Sequence, residues 1–344
     1  MGSPNIWGGS APGVFLGSCH GSAKTGARPL MPKRKVTYRH YVAVVAVAGL
    51  TTMIVWASGA FSRAAPTPYN NQQLAQRLAV PAYINPADDP ATWQQLVGSG
   101  AGTVGLVVAN VDSGPGSAAT AAWSGVLHNA HAAGMKVLGY VDTGYLGSPS
   151  TAASGGLPTR SGDSSMQAWL GQAEADVDLW YEYYGPDLDG IFFDEAPDQC
   201  GTTLAPTLYA DGYAALDAYV KQAHPGALTA LNPGQAVPRC FEDAADVLVT
   251  FEGSYGDYTA AASAANGAYQ PLTWTPADPQ KIWHIVYGVT GQDQMEQVMA
   301  LSKSRNAGYV YVTDDLLPNP YDTLPPAPYW ADEQVKSYPY GNPG

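Results

Sequence analysis

The sequence predicts an α/β fold, a (β/α)8 TIM barrel over residues 78–344, on three observations. Short apolar runs alternate with helix-like segments from Leu78 onward. Most runs are rich in Val, Ile, Leu, Phe or Tyr without polar alternation, as parallel strands buried on both faces are. There are eight such runs, within a length close to the about 250 residues usual for this barrel.

In order, the strand candidates are Leu78–Ile84, Thr103–Val111, Lys136–Val141, Gly190–Phe193, Ala227–Leu231, Asp246–Phe251, Lys281–Tyr287 and Gly308–Val312. Helix candidates between them are Ala118–Ala133, Ser164–Tyr184, Ala205–Ala223 and Gln292–Asn306, the first ending at Gly134, a residue suited to a helix C-terminus. Gly253–Gln280 reads as a long loop with one short helix, and proline-rich 316–344 as a segment wrapping the barrel's outside. No G-x-G-x-x-G follows the first run, which disfavours a dinucleotide-binding doubly wound sheet.

The N-terminal part has a different composition. Residues 1–65 carry seven basic side chains and no acidic one, so a chain of net charge −13 hides a body of −20. Residues 1–40 read as a basic, disordered segment. Tyr41–Ser62, uncharged and preceded by Lys33-Arg34-Lys35 and Arg39, reads as a signal-peptide core or a transmembrane anchor with its basic end inside. Residues 63–77 suit a linker. Either fate places the body outside the cell, secreted or membrane-anchored, and makes the N-terminal segment its only membrane contact. An acidic body disfavours nucleic acid as a partner and favours cations or cationic polymers; a monomer is expected. Cys200 and Cys240 are the two cysteines of the exported part and in an oxidising compartment form one disulfide. Two cysteines make a zinc site improbable, and His128 and His131, three apart on a helix candidate, lack a third ligand. Neither metal nor cofactor is expected.

A TIM barrel holds its chemistry at the C-terminal ends of its strands. Those ends here carry Tyr83 and Asn85; Asp112; Tyr140, Asp142 and Tyr145; Asp194 and Glu195; Asn232; Glu252 and Tyr255; His284 and Tyr287; Tyr311 and Asp314. Acidic, amide and aromatic groups therefore converge on one rim. The tyrosines are candidates to stack on sugar faces, and the polar residues to bind sugar hydroxyls. Two carboxylates on nearby strands can cleave a glycosidic bond, one protonating the leaving oxygen while the other attacks or stabilises the oxocarbenium centre. The donor must hold its proton near neutral pH, which burial and a nearby negative charge promote, with Phe192, Phe193 and Phe251 as the apolar surround. Strand alternation would point the consecutive Asp194 and Glu195 to opposite faces, so at most one enters the mouth directly.

The motifs VPAYINP, VDSGPG, GYVDTGY, DGIFFDEAP, LNPG, VTFEG and GYVYVTDD, in this order at strand ends, resemble the spherulin-4-like proteins classed as glycoside hydrolase family 135. The likeness runs from about Leu78 to Asp315, departing in VDSGPG, where the family form is NPSGPG, and in the basic, hydrophobic leader. It implies a (β/α)8 barrel and endo-acting hydrolysis of α-1,4-linked galactosamine/N-acetylgalactosamine-containing polysaccharide such as galactosaminogalactan. It also implies functional carboxylates at Asp194, Glu195 and Glu252: Asp194 as nucleophile or transition-state stabiliser, Glu252 as acid/base, and Glu195 binding or tuning. Partly deacetylated polymers of this kind are cationic, matching the acidic body. The first alternative is a chitinase-like hydrolase of another amino-sugar polymer, since DLDGIFFDE resembles a DGxDxDxE signature, although the adjacency of Asp194 and Glu195 breaks its spacing. The second is a non-catalytic carbohydrate-binding or cell-wall barrel.

Overall fold

The computed structural model describes residues 76–149, 156–260 and 267–337. The expectations for 1–40, 41–62 and nearly all of the 63–77 linker lie outside these residues. Among the described residues no helix is long and apolar enough to cross a membrane.

Eight parallel strands close into a barrel in sequence order. They are β1 (Arg77–Ala82), β2 (Val104–Ala109), β3 (Lys136–Asp142), β4 (Gly190–Asp194), β5 (Leu228–Leu231), β6 (Val247–Ser254), β7 (Ile282–Tyr287) and β8 (Tyr309–Val312), with β8 pairing back to β1 through Arg77↔Tyr309 and Leu78↔Val310. All eight sequence-read strands are present, and the burial of their apolar residues matches two covered faces, exposure being confined to strand ends and to Glu252. The outer helices are α1 (Pro90–Gly98), α2 (Ala121–Ala132), α3 (Met166–Tyr184), α4 (Leu208–Ala223), the short α5 (Tyr255–Thr259), α6 (Gln292–Ser304) and α7 (Ala327–Ser337). Between β5 and β6 a single 3-10 turn, Arg239–Phe241, replaces a helix.

Two helices were absent from the sequence reading. Asp89 caps α1 by accepting from Thr92 N at 3.0 Å, with Pro90 in the first helical position, but nine residues are too few for a persuasive apolar period. The other is α7, inside the stretch read as an outer wrap. It packs beside α6 and β1 as that reading implies, yet the residues just before it cross the barrel mouth.

The interior is aromatic. Trp283 of β7 and Phe192 of β4 meet edge to face at 5.6 Å, and Phe192 stacks on Tyr140 of β3 at 6.1 Å. The other face of the wall packs on the helices. A Cβ on Gly139 would lie 2.5 Å from Trp180 of α3, whose indole nitrogen donates to Tyr140 O at 2.7 Å.

The pairing of β6 with β7 contains one irregularity. Val249 faces Trp283 and Phe251 faces His284, so the register skips Thr250. Such a bulge inverts the in–out alternation of everything after it. Val249 is level with the inward Trp283, and strict alternation would turn Phe251 inward and Glu252 outward. The skip instead sends Phe251 into an outer cluster with Tyr258, Tyr269 and His284, and turns Glu252 into the mouth.

Cys200 and Cys240 form a disulfide between the β4–α4 and β5–β6 connections, 40 residues apart. Closing a loop of that length in the unfolded chain is worth about 4 kcal/mol in the chain-entropy picture. Replacing both cysteines with serine is expected to lower Tm in a calorimetric scan by roughly 5–15 °C, with the far-ultraviolet spectrum unchanged.

Candidate active site

The C-terminal ends of β4, β5 and β6 bring three polar side chains together. Asp194 ends β4, Asn232 follows β5 and Glu252 lies on β6. The Asn232 amide nitrogen donates to Asp194 Oδ1 at 2.8 Å and to Glu252 Oε2 at 2.6 Å, so one NH2 group bridges the two carboxylates. Asn232 is buried, while both acids are half-buried and open to solvent on one side. Asp194 also accepts from the Tyr140 hydroxyl and from the Glu195 backbone N–H. Tyr321, downstream of β8, donates its hydroxyl to Glu252 Oε1.

Glu195 does not follow strand alternation. Its backbone is left-handed, with φ of 56°, and this turns its side chain to Asp142 at the end of β3 instead of outward. Asp194 therefore faces Glu252 in the mouth, while Glu195 meets Asp142 beside it instead of turning to the helices. The turn is held from below. Glu195 O accepts from Tyr145 N at 2.6 Å and from Thr143 Oγ1 at 3.2 Å, and Thr143 Oγ1 also reaches Asp194 O at 2.6 Å. Tyr145 and Leu146 are left-handed as well, at 55° and 50°. Each such non-glycine residue costs of order 1–3 kcal/mol, and their gathering at one corner marks a place where geometry outweighs local stability.

The electrostatics follow from this crowding. Burial, then the charge of Glu252, pushes Asp194 up to about 7, against the hydrogen bonds it accepts. Burial, then Asp142 and Asp194, pushes Glu195 up to about 8, and the hydrogen bond it shares with Asp142 joins them as a carboxyl–carboxylate pair. Burial raises Asp142 too, while Gly144 N donates to its Oδ1 at 2.8 Å. Arg160 reaches toward this corner, gripped by buried Asp176 at 2.8 and 2.5 Å.

The other sequence-read residues divide. Tyr83, Tyr140, Tyr145 and Tyr287 surround the acids, and burial first, then the acids' charges, holds their phenols protonated. Asn85 is exposed and engaged in its own turn, bonding Asp88 Oδ2 and Ala87 N. Asp112 is exposed in the β2–α2 loop. The Tyr255 hydroxyl turns away to Gln297 of α6 at 2.7 Å. His284, an outward position of β7, bonds Tyr258 at 2.9 Å and lines a flank cavity with Tyr269, Trp274 and Arg305; burial pushes it down to about 3. Tyr311 is buried within the barrel against Tyr321, and Asp314 is half-buried near Tyr311, Tyr329 and Glu333. The bulge likewise removes Phe251 from the apolar surround expected for the acids. A larger cavity lined by Tyr181, Asp189 and His224 also lies apart from the carboxylates. His128 and His131 pair with Asp187 and Asp189 at 3.0 and 2.9 Å.

Sequence reading missed Tyr321. It lies outside every strand, and an N-P-Y-D stretch in a proline-rich tail carries no period that would place it over the mouth.

The Spherulin4 profile, described as spherulation-specific family 4, matches residues 77–335. The chain belongs to this family. No curated protein matches it. Among solved structures, Sph3 of Aspergillus clavatus in complex with GalNAc is similar, at 18% identity and a TM-score of 0.55, over 76% of this chain and 97% of that one. The glycoside hydrolase domain of PelA from Pseudomonas aeruginosa aligns at 13% identity and a TM-score of 0.41, over 69% and 95%. The C-terminal domain of Legionella pneumophila ChiA aligns at 13% and 0.40, over 75% and 96%. The likeness to Sph3 agrees with the closed eight-stranded barrel.

Folding raises Glu195 from 4.5 to about 8 and Asp194 from 3.8 to about 7. The folded protein therefore holds protons across this window that the unfolded chain releases. The stability they contribute is complete below about pH 4 and is lost as pH rises through 7 and 8. Tm is expected to fall between pH 4.5 and 8. Glu195→Gln, neutral at every pH, should flatten that slope, so that its Tm relative to wild type is higher at pH 8 than at pH 5. A slope of opposite sign in calorimetry would show that these acids fold as carboxylates.

Proposed function

We propose that this chain is a glycoside hydrolase that cleaves within α-1,4-linked galactosamine- or N-acetylgalactosamine-containing polysaccharide, with retention of configuration. The observation that carries the reading is the Asn232 bridge, which holds two carboxylates from different strands face to face in a half-buried mouth. Their facing oxygens sit on arms of 2.8 and 2.6 Å from one nitrogen, so they cannot be farther apart than those two arms together. That ceiling is for the two facing oxygens; the short spacing it gives supports the about 5–5.5 Å between carboxyl groups of retaining glycosidases over the wider about 6.5–9.5 Å that leaves room for an inverting enzyme's water.

In this reading Asp194 attacks or stabilises the anomeric centre. Fixed by Asn232, Tyr140 and the Glu195 amide, it has little freedom to lose when the sugar arrives. Glu252 protonates the leaving oxygen and then activates the water that releases the product. Two charges this close and this buried are costly together, so near neutral pH the pair carries one proton, as an acid/base pair requires. Glu195, paired with Asp142, tunes Asp194 from beside it, and Tyr83, Tyr145 and Tyr287 offer ring surface for the sugar.

Family membership supports the amino-sugar substrate, as does the GalNAc held by Sph3, a sugar of the class proposed. The body charge of −20 favours a cationic, partly deacetylated polymer. An exported location, as the leader sequence implies, would bring the barrel to such a polymer.

The test is incubation with galactosamine, N-acetylgalactosamine and chitin-type polymers, products sized by mass spectrometry and their anomers followed by NMR. Galactosamine-containing polymer is expected to yield oligosaccharides of retained configuration. Asp194→Asn and Glu252→Gln should each lower kcat by about 10³-fold or more while binding persists. Glu252→Gln should recover most on substrates with an acidic leaving group, which fixes the division of roles. Binding by wild type without release of reducing ends would make the barrel a carbohydrate-binding module, and release from chitin-type polymer alone would point to the chitinase-like reading.

A further inference from the structure

We propose that Tyr321, on the strap between β8 and α7, is a positioning residue that fixes the Glu252 carboxylate for catalysis. Both Glu252 oxygens accept from neutral donors, Oε2 from Asn232 at 2.6 Å and Oε1 from the Tyr321 hydroxyl. Two donors on two oxygens fix the plane of the carboxylate, which a single bond would leave free to rotate.

The phenol itself is tightly held. Tyr321 is 2% exposed, and its ring meets Tyr83 edge to face at 5.5 Å and Tyr311 at 6.3 Å. Its carbonyl accepts from Tyr83 N at 3.0 Å and its N–H donates to Asn319 Oδ1 at 3.2 Å. Downstream, α7 fastens the strap to the barrel. The buried Glu333 accepts from Val312 N at 2.9 Å, and Trp330 Nε1 donates to Ser99 Oγ at 3.0 Å. Among the described residues, the titratable groups facing Glu252 are Asp194 from β4, Tyr83 after β1, Tyr145 after β3, Tyr287 from β7 and Tyr321 itself, and no cation is among them. Burial and the charge of Glu252 keep the Tyr321 phenol protonated far above neutral pH, so it acts as a donor and never as a base. A donor that acts on the ionised form favours it. Removing the hydroxyl should therefore make Glu252 harder to ionise.

The kinetic arm of the test rests on the function proposed above, whereas the titration arm does not. In the full chain, the Glu252 side-chain carboxyl is followed by carbon-13 NMR against pH, assigned by its loss in Glu252→Gln. Tyr321→Phe is expected to raise the Glu252 midpoint by roughly one unit, the scale of one hydrogen bond to a charged group. On polymer it should lower kcat about 10- to 100-fold, leave KM within about threefold, and move whichever limb of the pH–rate profile belongs to Glu252 upward by the same interval. Tyr329→Phe removes a buried hydroxyl that has no partner, from α7, and should change none of these. Should Tyr321→Phe not fold, Asn319→Ala, which loosens the strap without touching the carboxylates, is expected to shift the midpoint in the same direction. An unmoved midpoint and an unmoved profile, with only Tm lowered, would overturn the proposal and leave Tyr321 a packing residue. A wild type inactive on every polymer would sink the function reading alone, because the titration still decides the role of Tyr321.

Discussion

The site depends on one amide. Asp194 and Glu252 repel each other across a half-buried mouth, and nothing in the backbone forces their oxygens together. The two N–H groups of Asn232, one to each acid, set their separation. An amide suits this position because it donates twice and stays neutral. A lysine would neutralise the pair and keep both acids ionised, while an apolar residue would remove the one donor they share and leave Asp194 to Tyr140 and the Glu195 amide, and Glu252 to Tyr321. The neutral bridge holds geometry without removing the electrostatic conflict that retains a proton on the pair.

Two local departures from ideal backbone make that bridge possible. Skipping Thr250 turns Glu252 inward, and the left-handed turn at Glu195 bends the chain after Asp194 so that Glu195 meets Asp142. In an ideal barrel Glu252 would point at the helices and Glu195 away from Asp194. Among the described residues three of the five non-glycine residues with positive φ gather beside the acids, and the rest of the barrel is a closed sheet over an aromatic interior with one further register shift, between β1 and β2. That distribution is expected where a stable scaffold supports a costly site.

The same departures explain how far the sequence could be read. Strand number, order and closure were legible because eight apolar runs at regular intervals admit few arrangements, and each run is long enough to show its character. Asp194, Asn232, Glu252 and Asp142 were legible because strand ends in a barrel share one rim. Asn85, Tyr255 and His284 share that rim in sequence but not in space: a turn, a helix start and an outward strand position lie within a residue or two of the productive ones. Phe251 and Glu252 illustrate the limit. A one-residue skip exchanges their faces, and no side chain at 249–251 announces it. Glu195 is the converse: alternation sets it on the face opposite Asp194, and a single positive φ brings it to Asp142. Tyr321 was illegible for a different reason: its place is set by α7 docking on the barrel, a tertiary contact with no local signature.

Recognition and activation are coupled on the proposed substrate. Burial raises Asp194 first, and the charge of Glu252, which raises it further, belongs to the negative field that would draw a cationic sugar chain to the mouth. Such a sugar, once bound, brings positive charge beside Asp194 and lowers its affinity for the proton; the oxocarbenium-like centre of the transition state lowers it further. Asp194 would thus be least basic toward protons at the moment it faces the anomeric carbon, and the proton would settle on Glu252, beside the leaving oxygen. A neutral, fully acetylated chain gives only the second of these effects. The arrangement of charges therefore predicts that the advantage of deacetylated over acetylated polymer is greatest below about pH 7, where Asp194 is otherwise protonated, and shrinks above it. Comparing kcat/KM for the two polymers across that range tests the coupling directly, and an advantage that stayed constant with pH would mean that charge steers the chain to the mouth but does not set the protonation of the pair.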